Sequence, residues 1–198
     1  MTLTLKHTFN DHVELHAADN MLFRYIYESK VTQSEGRRPY FHPLNTLSGV
    51  TVTGFRPHDH RWHVGVSMTC EWLSSQNFWG GNPPVREDGS QSLDPFGQQQ
   101  HRAWLEMTCN GERARMIEQV AWITGTDEAW LDETRTITVS KVDAEKGVWV
   151  LEFDTQLRNL SGKALEFSSP TARGRRHNAG YGGLFWRGSR DLTKAKIM

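Results

Sequence analysis

HRAWLEMTCNGERARMIEQVAWITG, residues 101–125, consists of two runs rich in alternating apolar and polar residues, joined by Asn110-Gly111. An Asn-Gly dipeptide readily takes the positive φ values of a type I′ turn, so the stretch predicts a β-hairpin. The rhythm continues downstream. WLDETRTITVSKV (130–142), VWVLEFDTQL (148–157) and ALEFSS (164–169) are separated by the polar, turn-forming segments DAEKG and NLSGK, which is the spacing of an antiparallel meander. Upstream, RWHVGVSMTCEW (61–72) has Trp62, Val64, Val66, Met68, Cys70 and Trp72 at even positions and polar or small residues at odd ones. Period-2 alternation predicts a strand with the even face packed and the odd face turned outward or into a cleft. There is no long amphipathic helix pattern and no internal repeat. The expected fold is all-β, an antiparallel β-sandwich in a single domain over 1–198.

Composition narrows the function classes. Charges balance at 23 basic and 23 acidic residues, so no global field draws the chain to nucleic acid or to an anionic membrane. No apolar run approaches the roughly 18 residues of a membrane-spanning helix. The N-terminus alternates instead of carrying a secretory apolar block, and Cys70 and Cys109 are too few for a disulfide scaffold, so the expected location is cytoplasmic.

The segment FWGGNPPVREDGSQSLDPFGQQQ interrupts the strands with a loop at about 77–100, and Phe78, Trp79 and Phe96 near its ends favour an ordered, packed loop. The strongest chemical signal is the histidine group His42, His58, His60 and His63. In an extended strand His58 and His60 share a face and His63 does not, so a site using all three needs a bend, which Pro57 and the polar run after it permit. Three readings stand side by side. The rings face a substrate as hydrogen-bonding groups and general acids; or His58, His60 and His63 bind zinc, iron or copper; or they pack at turns. No cofactor is predicted on the first reading.

Glu133 and Arg135 lie two apart on one face of a predicted strand with Leu131, Ile137 and Val139. Burial requires that they be paired. The plain reading is a structural ion pair, and the functional one a carboxylate base that Arg135 keeps ionised. Among eight Trp residues, Trp62, Trp79 and Trp186 lie near loops and suit stacking on a sugar, whereas Trp104, Trp122, Trp130 and Trp149 sit on predicted strands and suit the core. Arg173, Arg175, Arg176 and His177 form a local basic patch.

Several blocks together carry a resemblance. Arg38-Pro39-Tyr40-Phe41-His42-Pro43-Leu44, Arg56-Pro57-x-Asp59-His60-x-x-His63-x-Gly65, Phe78-Trp79-Gly80, Glu133-Thr134-Arg135 and Gly180-Tyr181-Gly182-Gly183-Leu184-Phe185-Trp186-Arg187 resemble the PmoA-like family of bacterial proteins. That family is similar in fold to the galactose-mutarotase-like supersandwich. Its label, methane oxygenase, does not suit a chain without membrane helices. The resemblance implies a fold and a place for the site, and suggests carbohydrate chemistry by analogy. It also implies that the family's last strands follow the Tyr-Gly-Gly block and are missing here, which would leave an exposed edge and favour a homodimer.

The expected site is therefore a concave face or rim. It carries His42, His60, His63 and Glu133 as catalytic candidates and Arg56, His58, Trp79, Arg135, Tyr181 and Arg187 as ligand-binding candidates. The expected ligand is a small carbohydrate-like molecule, bound for epimerisation, elimination or hydrolysis. The alternatives are a metal-dependent oxidoreductase and a non-catalytic sugar-binding module.

Overall fold

In the computed structural model, residues 1–82, 88–90, 96–169, 171–172 and 181–193 are described. The chain forms twelve strands among these residues: β1 (Leu3–Thr8), β2 (His12–Ala17), β3 (Asn20–Ile26), β4 (Tyr40–Leu44), β5 (Val66–Cys70), β6 (Trp72–Leu73), β7 (Gln98–Cys109), β8 (Ala114–Ile123), β9 (Ala129–Asp143), β10 (Val148–Asn159), β11 (Phe167–Ser168) and β12 (Gly182–Trp186). The helical residues among those described are two three-residue 3-10 turns. One sheet has the order β1-β2-β3-β4-β5-β12, the second the order β10-β9-β8-β7, and β11 pairs with β6. The all-β antiparallel expectation holds, with open sheets.

The second sheet is the meander read from residues 101–157, whereas the last run, 164–169, leaves it because β11 pairs with β6. Its first hairpin turns at Asn110-Gly111, but with a four-residue loop, because Cys109 pairs with Ala114. Asn110 Oδ1 accepts from the backbone N–H groups of Glu112 and Arg113 at 3.1 and 2.8 Å, and Gly111 alone in the loop takes a positive φ, +90°. The asparagine side chain thus satisfies two donors that a two-residue type I′ turn would leave to the strands.

The two sheets face one another across an apolar core. Val13, Leu15, Phe23, Tyr25 and Phe41 from the first sheet pack with Ala114, Met116, Ile137 and Val139 from the second. A second cluster around Trp122, Trp130, Leu131, Leu73 and Phe78 closes one end. The expected core tryptophans behave accordingly: Trp122 and Trp130 are buried, and Trp104 and Trp149 pack half-buried against the first cluster.

A polar chain runs through this core. Tyr25 donates to Glu118 of β8, and Arg135 Nη1 donates to Tyr25 Oη at 2.7 Å. Arg135 grips Glu133 with Nε at 2.8 Å and Nη2 at 2.9 Å. Glu133 also accepts from Trp122 Nε1 at 2.7 Å and Thr155 Oγ1 at 2.9 Å. Burial raises the Glu133 pKa, but the Arg135 charge and these hydrogen bonds outweigh it and hold the carboxyl below its ordinary range.

The even face of β5 packs as expected, with Val66 against the first cluster and Met68 and Cys70 in the second, but the odd face is covered as well. Ser67, Thr69 and Cys70 are buried, and Val66 and Met68 are half-buried. Both hydroxyls are engaged: Arg38 Nε donates to Ser67 Oγ at 2.9 Å, and Thr69 Oγ1 donates to the Phe78 carbonyl at 2.8 Å. A buried guanidinium and a crossing loop need polar partners more than apolar ones, so hydroxyls line this second covered face. The strand also starts at Val66, since residues 56–63 are taken up by turns.

Candidate functional site

Three loops meet beside β5 and the start of β12, and Arg38 joins them. Its side chain is completely buried. Nη1 donates to the carbonyls of Gly36 at 2.7 Å and Trp79 at 3.0 Å, and Nη2 to the carbonyl of Trp62 at 3.0 Å. Five directional donors on one rigid plane suit this task, which no other side chain could perform. Burial lowers the Arg38 pKa to about 9, so it stays charged at neutral pH.

The loops approach so closely that glycine is required where they touch. A Cβ on Gly80, which has φ +100°, would lie 2.7 Å from the Glu35 carbonyl carbon and 2.8 Å from the Gly36 nitrogen. A Cβ on Gly36 would lie 2.3 Å from the Trp79 oxygen. Arg56 sits on the same seam with φ +44°, donating through Nη2 to Glu35 Oε1 at 2.9 Å. Asn77 holds the next turn by accepting from the N–H groups of Trp79 and Gly80 at 2.8 and 2.9 Å. The expected loop at about 77–100 is packed at its ends, with Phe78, Trp79 and Phe96 all buried; residues 83–87 and 91–95 lie outside the described residues.

The predicted bend lies between Pro57 and His63. The His60 N–H donates to the Pro57 carbonyl at 3.0 Å and the His63 N–H to the His60 carbonyl at 2.9 Å. These two successive turns bring the rings of His60 and His63 to 4.9 Å between centroids. The His63 ring also contacts Trp79 at 5.5 Å and Phe185 at 5.1 Å, and Trp79 contacts Tyr181 at 5.0 Å. His60, Trp62, His63, Glu71, Trp79, Gly80 and Tyr181 enclose a cavity of about 190 Å³. Burial, then the facing His60, Arg187 and Arg38, lower the His63 pKa to about 4, so His63 is neutral at pH 7. Arg187 Nη1 approaches His63 Nδ1 at 3.4 Å, and His60 Nδ1 lies 3.1 Å from Asp59 Oδ2.

One protein family matches residues 12–198, nearly the full chain. The chain belongs to DUF6807, a family of unknown function. No curated protein and no solved structure matches it.

Of the candidates on this DUF6807 chain, His60, His63, Trp79 and Tyr181 share the cavity, and Arg187 stands behind His63. The remaining candidates lie elsewhere. His42 stacks on Phe55, with ring centroids 5.1 Å apart, and its Nδ1 meets Thr53 Oγ1 at 3.0 Å. His58 is exposed on the far side of the turn, where its Nδ1 is 3.4 Å from Arg190 Nη2. The expected convergence of His58, His60 and His63 as metal ligands is thus corrected: the bend that joins the last two turns the first away. Among the described residues no group of three or more His, Cys, Asp or Glu is placed to hold a metal ion.

Glu133 and Arg135 also leave the expected rim. They lie between the sheets, 0% and 1% exposed, with their charges satisfied by each other and by core partners. A base role for Glu133 is therefore replaced by the structural reading of the pair. Trp62 lines the cavity, whereas Trp186 is exposed and donates to the Val52 carbonyl at 3.0 Å. The basic patch at Arg173, Arg175, Arg176 and His177 lies outside the described residues.

Sequence reasoning missed two members of the site, Glu71 and Arg38. In sequence Glu71 is only one polar odd position of the alternating run 61–72, and Arg38 only part of a motif. A signal for Arg38 existed: an arginine followed by Pro-Tyr-Phe, without an acidic neighbour, is about to be buried and must find carbonyls.

Proposed function

We propose that this protein binds a single small carbohydrate-like unit in the cavity between residues 60–63, 79–80 and Tyr181. The observation that carries this reading is the wall composition. Indole and phenol rings of Trp62, Trp79 and Tyr181 offer apolar faces to sugar C–H groups, and two imidazoles and the Glu71 carboxylate offer hydrogen-bonding atoms beside them. The cavity of about 190 Å³ is smaller than the roughly 300–1,000 Å³ of pockets for drug-sized ligands. One ring fits and an oligomer does not, so a longer glycan would enter by its end unit. The likeness to supersandwich proteins drawn from the sequence blocks points the same way.

Two imidazoles at this distance also supply the groups for proton transfer at a carbon bearing a hydroxyl or carbonyl, which is the step common to epimerisation and elimination. The deciding experiment titrates a panel of monosaccharides and methyl glycosides into the protein while following the indole N–H resonances of Trp62 and Trp79. A saturable shift of both, abolished in Trp79→Ala, supports the reading. Unmoved indoles across the whole panel overturn it.

A further inference from the structure

Two imidazoles that share one cavity can present the same face of their chemistry or opposite faces. The groups behind them decide which. A guanidinium has N–H donors and no acceptor, so Arg187 Nη1, 3.4 Å from His63 Nδ1, cannot face a proton there. A carboxylate has acceptors and no proton at neutral pH, so Asp59 Oδ2, 3.1 Å from His60 Nδ1, favours a proton there. The His60 contact falls outside hydrogen-bond geometry and acts through charge.

We propose that Arg187 and Asp59 are positioning residues that fix His63 and His60 in opposite neutral tautomers, so that the cavity holds one imidazole N–H donor, His63 Nε2, beside one imidazole lone pair, His60 Nε2. This inference rests on the cavity being the ligand site. It narrows the ligand to one that sets an acceptor oxygen next to an acidic proton, as an α-hydroxy carbonyl or the open-chain form of an aldose does. In the corresponding step His60 Nε2 takes the proton from the carbon beside the carbonyl. The C–H electron pair forms the C=C bond, the carbonyl π pair moves to oxygen, and His63 Nε2–H stabilises that oxyanion by hydrogen bonding. A neutral imidazole is the better donor here because it keeps its proton while His60 carries the transferred one. Return of a proton from His60 to the same carbon completes the exchange with no oxidant or other reactant.

Arg187 is well placed for this because its backbone is held independently of its side chain. Its N–H donates to the Gly65 carbonyl and its carbonyl accepts from the Gly54 N–H, both at 2.7 Å. A substitution that changes only the side chain therefore leaves the strand seated.

The test is long-range ¹H–¹⁵N correlation of the histidine rings at a pH of about 8, where an ordinary imidazole is neutral, in the wild type, Arg187→Met and Arg187→Lys. The expected wild-type pattern is Nε2–H for His63 and Nδ1–H for His60. Arg187→Met should release His63 into tautomer exchange, and Arg187→Lys should restore the wild-type pattern. A second readout is deuterium exchange at the carbon beside the carbonyl of an α-hydroxy aldehyde, which should be lost in His60→Gln and reduced at least about tenfold in Arg187→Met. A wild-type His63 carrying its proton on Nδ1, or an Arg187→Met spectrum identical to wild type, overturns the inference. The tautomers are read without ligand, so correct tautomers with no saccharide response would overturn the carbohydrate reading alone.

Discussion

The guanidinium of Arg38 donates to the backbone carbonyl of Trp79 across 3.0 Å, and both residues are buried, Trp79 except where its side lines the cavity. The same side chain holds the Trp62 carbonyl. Two walls of the cavity are therefore fixed by one residue that does not line it.

Arg38→Met should accordingly damage both stability and the cavity. Three carbonyls and Ser67 Oγ lose their donor, and each buried acceptor left unpaired costs about 1–3 kcal/mol. Urea denaturation should show a loss of at least about 3 kcal/mol, and the Trp62 and Trp79 indole resonances should broaden. Arg38→Lys should not rescue, because an ammonium cannot span four acceptors set around a plane. Full recovery in Arg38→Lys would contradict the bracing role.

Glu133→Gln should destabilise by about 3–5 kcal/mol, since it leaves Arg135 charged and unpaired in the core. The pH dependence has a definite sign. Glu133 is held below its unfolded value, so its contribution is fully present above about pH 4.3 and is lost as pH falls through the depressed folded pKa. The gap in urea midpoint between wild type and Glu133→Gln should narrow in acid. A constant gap down to unfolding would show that the carboxylate is not the stabilising form.

His63 gives the same sign in a higher pH window, through burial of a neutral ring instead of pairing of a charge. Its folded pKa, about 4, lies below the roughly 6.5 of an unfolded histidine. Between these values the unfolded chain binds the extra proton, so the contribution is complete above pH about 6.5 and declines as pH falls towards the folded pKa. Ligand binding should be flat above that window as far as His63 is concerned. An NMR titration of the His63 ring should find a midpoint well under that of an exposed histidine, and a midpoint near 6.5 would mean the ring is solvated.

Gly80→Ala should be far more harmful than Gly147→Ala. Both glycines have positive φ, +100° and +66°, so both substitutions carry the cost of left-handed backbone, of order 1 kcal/mol. Only at Gly80 does the new Cβ strike backbone, that of Glu35 and Gly36, while nothing lies within 4 Å at Gly147. Thermal unfolding should separate the two by several degrees.

The strand pattern was legible because period 2 survives wherever one face is buried. The alternation of β9 correctly puts Glu133 and Arg135 on the inner face, and the Asn110-Gly111 turn correctly joins β7 to β8. The packed even face of β5 was legible, but the burial of its odd face was not, since that depends on Arg38, 29 residues away from its partner Ser67. The site was half legible. His60 and His63 sit close in sequence and need only a turn to meet, but Arg38 acts on carbonyls at 36, 62 and 79, and a carbonyl has no residue type to read.

Tyr25 belongs to the first sheet, and its hydroxyl is bonded to Glu118 and Arg135 of the second. Apolar side chains in a sandwich tolerate sliding, because one methyl is much like the next. A phenol that must meet one carboxylate and one guanidinium does not, and a shift of the layers by a single residue pair would strand three polar groups in hydrocarbon. Tyr25 thus acts as a dowel between two boards, selecting one alignment of the layers out of several that greasy packing alone would accept.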